Sequence, residues 1–169
     1  IGLSVGGNLT LSGAAVVDGS GVASILTVSG NTSIASATAH VRMGSGIWTF
    51  RGSWSNASTS ANWNAGTGTV LFASTTSQPM TFAGFVGNEF YNVTFASTAS
   101  SGAVTFTMGT NSLKWIGTLT IQDTAGSTTT LATGNLALAG GSLAIGNGGG
   151  LTANGSTVTV GDVTMTGGT

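Results

Sequence analysis

The sequence predicts an all-β chain wound as a parallel β-solenoid, and three observations carry that prediction. Short runs place apolar residues two apart with Thr or Ala between them, giving each extended segment one apolar and one small or hydroxylic face. Gly, Asn and Ser separate the runs, and these residues accept the backbone angles of tight turns. Apolar residues at helical spacing are absent, and the helix formers Glu and Lys each occur once.

In chain order, strands are expected at residues 8–11, 25–28, 47–50, 69–72, 80–82, 91–95 and 104–108, then at 119–121, 136–138, 143–145, 158–160 and 163–165. Ile25-Leu-Thr-Val28 and Ile47-Trp-Thr-Phe50 show the pattern most plainly, with a β-branched Thr on the solvent side of each run. Ser29-Gly-Asn31, Ala65-Gly-Thr-Gly68 and Gly146-Asn-Gly-Gly-Gly150 supply turns between runs. From Val70 the apolar centres recur near residues 81, 93, 105, 119 and 130, and then about every seven residues to Val163, which suggests brief strand-turn units in the tail. Three strands per coil give roughly six to eight coils and a stack of roughly 30–40 Å. An antiparallel β-sandwich or jelly roll has turns at similar intervals and stands as the alternative. The short strands and the Gly/Asn-rich turns favour the solenoid, and residues 1–169 read as one module, a segment or subunit of a longer array.

Only Asp18, Arg42, Arg51, Glu89, Lys114, Asp123 and Asp162 are charged, while Gly, Ser and Thr fill 79 of the 169 positions. Three scattered cations cannot neutralise a run of phosphates, so nucleic acid is not an expected partner. The apolar runs are a few residues long, and no membrane insertion is expected. Cysteine is absent, which removes thiolate metal sites and disulfides. Ile1 opens the chain without a basic segment followed by an apolar stretch, so a processed or excised segment is expected. Asn8, Asn31, Asn56, Asn92 and Asn154 begin Asn-x-Ser/Thr sequons and are candidate N-glycosylation sites, although a chain this rich in Asn, Ser and Thr also produces sequons by chance.

Leu3-Ser-Val-Gly-Gly-Asn-Leu-Thr-Leu-Ser-Gly13 aligns with Val158-Thr-Val-Gly-Asp-Val-Thr-Met-Thr-Gly167 after one gap. Neither end carries a capping helix or a cluster of charge, and the single proline, Pro79, is internal. Ends of like character are expected to stack on copies of the same module, as tandem segments or as separate subunits, and a head-to-tail contact does not close.

Asn62-Trp-Asn-Ala-Gly-Thr-Gly-Thr-Val-Leu-Phe72, with Phe90-Tyr-Asn-Val-Thr-Phe95 and Gly117-Thr-Leu-Thr-Ile121, resembles repeats in large secreted surface proteins of bacteria and archaea. Those adhesin-like regions look like right-handed parallel β-helices. The similarity covers roughly residues 45 to 169. It implies export to the cell surface, repetition and a scaffold or adhesive role, and it carries no catalytic residues to transfer.

Glycoside hydrolysis needs two facing carboxylates, and Asp18, Glu89, Asp123 and Asp162 lie in four separate segments, so they read as isolated turn or edge acids. His40 is the single histidine and reads as an exposed turn residue, without partners for a metal site or a triad. No calcium-binding G-G-x-G-x-D pattern occurs, and no cofactor is expected. Trp48, Trp54 and Trp63 fall close together and read as core or inter-subunit contacts, with a glycan-stacking platform as the competing assignment. Thr-x-Thr at 105/107, 118/120, 157/159 and 164/166 is unevenly spaced, and strand propensity accounts for it without an ice-binding face. The expected function is therefore non-enzymatic: a structural component of an extracellular filament, stalk or surface fibre. A glycan-binding adhesin module and a degenerate carbohydrate-active β-helix stand as alternatives.

Overall fold

The computed structural model describes residues 2–21 and 23–167. Three coils come first, each with three strands. They comprise β1 (Gly2–Val5), β2 (Leu9–Leu11) and β3 (Val16–Asp18), then β4 (Ile25–Val28), β5 (Thr32–Ile34) and β6 (His40–Arg42), then β7 (Ile47–Phe50), β8 (Trp54–Asn56) and β9 (Trp63–Asn64). A 3-10 turn, Ser60–Asn62, precedes β9. The remaining strands are β10 (Thr69–Ser74), β11 (Gln78–Thr81), β12 (Asn92–Ser97), β13 (Ala103–Met108), β14 (Leu113–Lys114) and β15 (Thr118–Asp123), followed by β16 (Thr128–Ala132), β17 (Leu138–Ile145), β18 (Gly149–Thr152) and β19 (Val158–Met165).

All pairings among these strands are parallel, which excludes the antiparallel sandwich. The first sheet runs β1-β4-β7-β10-β12-β15-β17-β14 with β19 on β17, the second β18-β16-β13-β11-β8-β5-β2, and the third β3-β6-β9. β14 pairs with the first residues of β17 and β15 with the last, so β17 bends around a corner and carries the third side onward. The Phe90–Trp115 bridge marks the same side between β9 and β17. The chain thus makes about seven turns, and at a ladder spacing of about 4.8 Å the stack is about 34 Å long.

Two inward ladders organise the core. Leu3, Leu26, Trp48, Val70, Val93, Leu119, Leu143 and Val163 are successive register partners, as are Val5, Val28, Phe50, Phe72, Phe95, Ile121, Ile145 and Met165. Period-two alternation requires this arrangement, because every second residue of a strand faces the same way. Phe72 and Phe95 stack with ring centroids 5.2 Å apart, and Phe95 packs on Phe106 of the second sheet at the same separation. A single apolar cluster extends from Leu11 to Ile145.

Corners bring backbones into close approach. A Cβ on Gly46 would sit 1.9 Å from the carbonyl oxygen of Ser24, so only glycine lets that turn nest on the coil below. At another corner the side chains form a relay: Asn8 Oδ1 accepts the Asn31 N–H at 2.8 Å, and Asn31 Oδ1 accepts the Ser53 N–H at 3.0 Å.

The tail departs from the sequence expectation. The runs at 136–138 and 143–145 are not separate strand-turn units, because residues 138–145 form one strand, and β19 likewise covers both 158–160 and 163–165. Gly140 and Gly141 permit the bend without breaking the ladder. A Cβ on Gly140 would meet the Trp115 indole at 2.4 Å, and one on Gly141 the backbone oxygens of Ile116 and Gly117 at 2.3 Å. Coil length therefore varies widely, from 20 residues between Leu143 and Val163 to 28 between Gln78 and Phe106.

Candidate functional site

The interior ladders surface at both ends of the stack. Leu3 is 58% exposed while its partner Leu26 is 4% exposed; Val163 and Met165 are 59% and 56% exposed above Leu143 and Ile145 at 3% and 5%. These end residues have the inward orientation of the core but no rung covering them among the described residues. The outer edges of β1 and β19 likewise have no paired strand among those residues, leaving backbone donors and acceptors in position for another parallel strand.

The sequence match between the ends does not correspond to one shared position. Leu3 and Val5 lie on the first sheet, with Leu9 and Leu11 on the second. Val158 and Val160 lie on the third side, with Val163 and Met165 on the first. The aligned segments are offset by one side of the coil, because any strand-corner-strand unit of this solenoid has the same apolar alternation. Residues 3–5 and 163–165 are the parts that share a sheet, and they are the exposed rungs.

Trp48, Trp54 and Trp63 are all interior, at 4%, 2% and 8% exposure. Trp54 packs against Phe50 at 4.7 Å and edge-on to Trp63 at 6.1 Å, while Trp48 Nε1–H donates to Ser24 Oγ. The core assignment thus accounts for these rings, and a glycan-stacking platform has no exposed indole face on which to form.

A buried polar knot lies beside them, and it corrects the assignment of Glu89 as a turn or edge acid. Glu89 is 1% exposed. Its Oε1 accepts Asn56 Nδ2–H at 2.7 Å and its Oε2 accepts the Ala83 N–H at 3.0 Å, while its backbone carbonyl accepts Trp63 Nε1–H. Asn56 Oδ1 in turn accepts the N–H and Oγ–H of Ser58. Burial pushes the Glu89 carboxyl up to about 7, against the pull of the Asn56 and Ala83 donors. Asn56 stands where Leu11 and Ile34 stand in the two preceding rungs, so a polar group replaces an aliphatic one in the ladder at this level. The segment between β11 and Phe90 loops outward from here to Val86, which is 95% exposed and whose carbonyl accepts Lys114 Nζ–H at 2.9 Å.

The other ionisable groups stay apart. Asp18 pairs with Arg42 across the third sheet at 3.3 Å, both of them solvent-exposed. Asp123 accepts the N–H groups of Ala125, Gly126 and Ser127 and closes a turn. Asp162 lies exposed on β19. His40 is not a turn residue: it opens β6, half-buried, in register with Val16. No group of three or more His, Asp or Glu side chains converges among the described residues, and no helix there is long and apolar enough to cross a membrane.

The chain matches no family model, no curated protein and no solved structure. Of the sequon asparagines, Asn8, Asn31 and Asn154 are exposed, Asn92 is half-buried, and Asn56 is enclosed in the Glu89 knot. Asn56 is therefore closed to modification once the chain has folded.

Proposed function

We propose that this chain is a passive scaffold element of an extracellular filament, stalk or surface fibre, extended by adding parallel rungs at its ends. The observation that carries this reading is the pair of core ladders that run the length of the molecule and emerge uncovered at Leu3 and at Val163 and Met165. An added strand seated on β19 would continue both the hydrogen-bond ladder and the apolar interior, whether it came from the same polypeptide or from another copy. The contact is head-to-tail and parallel, so growth is open-ended and the fibre is polar. With Glu89 buried, the other six charged residues of the chain put little repulsion between neighbours. The buried tryptophans take the support from glycan stacking at Trp48, Trp54 and Trp63.

The test is concentration-dependent assembly of the purified 169-residue chain, followed by negative-stain microscopy. Wild type is expected to form rods much longer than one module, whereas Val163→Asp/Met165→Asp is expected to remain short, because two carboxylates would have to be buried at the junction. Assembly that is unchanged in the double variant would sink the end-face mechanism.

A further inference from the structure

One outward position repeats on every rung of the first sheet. Ser4, Thr27, Thr49, Leu71, Thr94, Thr120, Ala144 and Thr164 are register partners in succession. They form a straight rank with steps of about 4.8 Å. The four Thr-x-Thr pairs do not share one line, since Thr105 and Thr107 lie on the second sheet and Thr159 on the third side. The rank is built instead from one outward residue per coil, and coils of different length hide it in the sequence.

A second outward position lies two residues upstream on each strand, about 6.6 Å away along the chain. It holds Gly2, Ile25, Ile47, Thr69, Asn92, Thr118, Ser142 and Asp162. Ile25 and Ile47 are 55% and 52% exposed, so methyl groups as well as hydroxyls face outward. The first rank contains no charged residue, and the second has only Asp162, on the last strand.

Each threonine offers one hydroxyl that both donates and accepts, together with a methyl group. β-branching restricts its rotamers, so the array loses little side-chain freedom on contact. These two ranks carry no cation complementary to phosphate or to an acidic polymer, Arg51 lying at the corner two residues beyond Thr49, and they carry no aromatic ring on which a sugar could stack. Their complement is an uncharged, periodic lattice of hydrogen-bond donors and acceptors. We infer that the outward face of the first sheet binds the surface of ice, with ordered water held between its methyl groups and anchored by its hydroxyls. The face lies along the side of the stack and does not depend on end-to-end assembly.

The test is thermal hysteresis, together with partition of the purified chain into slowly growing ice. It compares wild type with Thr94→Lys/Thr120→Lys and with Thr130→Lys, which alters an outward position of the second sheet. Circular dichroism melts verify that each variant folds, and Thr94→Ala/Thr120→Ala serves in place of the lysine pair if that pair does not fold. Wild type and Thr130→Lys are expected to shape ice crystals and enter the ice, while the double variants lose both properties. The inference is overturned by exclusion of wild type from ice, by equal loss in Thr130→Lys, or by self-association through this face without any effect on ice.

Discussion

Glu89 differs from the other three acids in being almost wholly buried, and its protonation is therefore coupled to folding. Burial raises its carboxyl from 4.5 to about 7, so the folded chain holds this proton more tightly than the unfolded chain does. The stability this confers is fully present below pH 4.5 and is lost as pH rises through about 7, an effect on the order of 3 kcal/mol. Thermal melts between pH 4.5 and 8 should show the melting temperature falling with pH in wild type. Glu89→Gln, a neutral isostere, should flatten that dependence; an equally steep decline in the variant would show that another group is responsible. The knot was not legible in the sequence because its partner, Asn56, lies 33 residues away and only the stacking of coils brings the two together. The tryptophans were more readable: Trp48 and Phe50 share strand parity, and both are in the core.

Strands and corners follow different rules, and the sequence discloses them unequally. The runs at 25–28, 47–50 and 69–72 appear in the fold as β4, β7 and the start of β10, because alternation alone specifies an extended segment with one buried face. The short strands β3, β6 and β9 lack a clear alternating run, and their place on the third side comes from pairing between coils. In the tail, the sequence separates strands at 136–138 and 143–145, whereas Gly140 and Gly141 form a bend within one strand. Gly140 lies against the Trp115 ring, and Gly140→Ala should overpack that contact and cost about 1–3 kcal/mol in a denaturant titration. An unchanged midpoint would mean that the corner can relax and that close approach is not what selects glycine there.

At the scale of the whole molecule, the architecture is a one-dimensional stack in which each coil is supported by its neighbours. Parallel pairing and inward alternation were foreseeable from period and composition, and the roughly six to eight coils expected from the sequence bracket the seven turns of the fold. The outward threonine rank was hidden because spacings of 20 to 26 residues between successive rungs of the first sheet obscure a regular repeat. The same stacking that buries Leu26 and Leu143 leaves Leu3 and Val163 exposed, and the proposed fibre rests on that contrast. X-ray diffraction from aligned, concentrated preparations of the chain tests it most directly. Continuous head-to-tail stacking predicts a sharp reflection at about 4.8 Å along the fibre axis, from strands lying across it. Isotropic scattering from single particles about 34 Å long, unchanged as concentration rises, would contradict it.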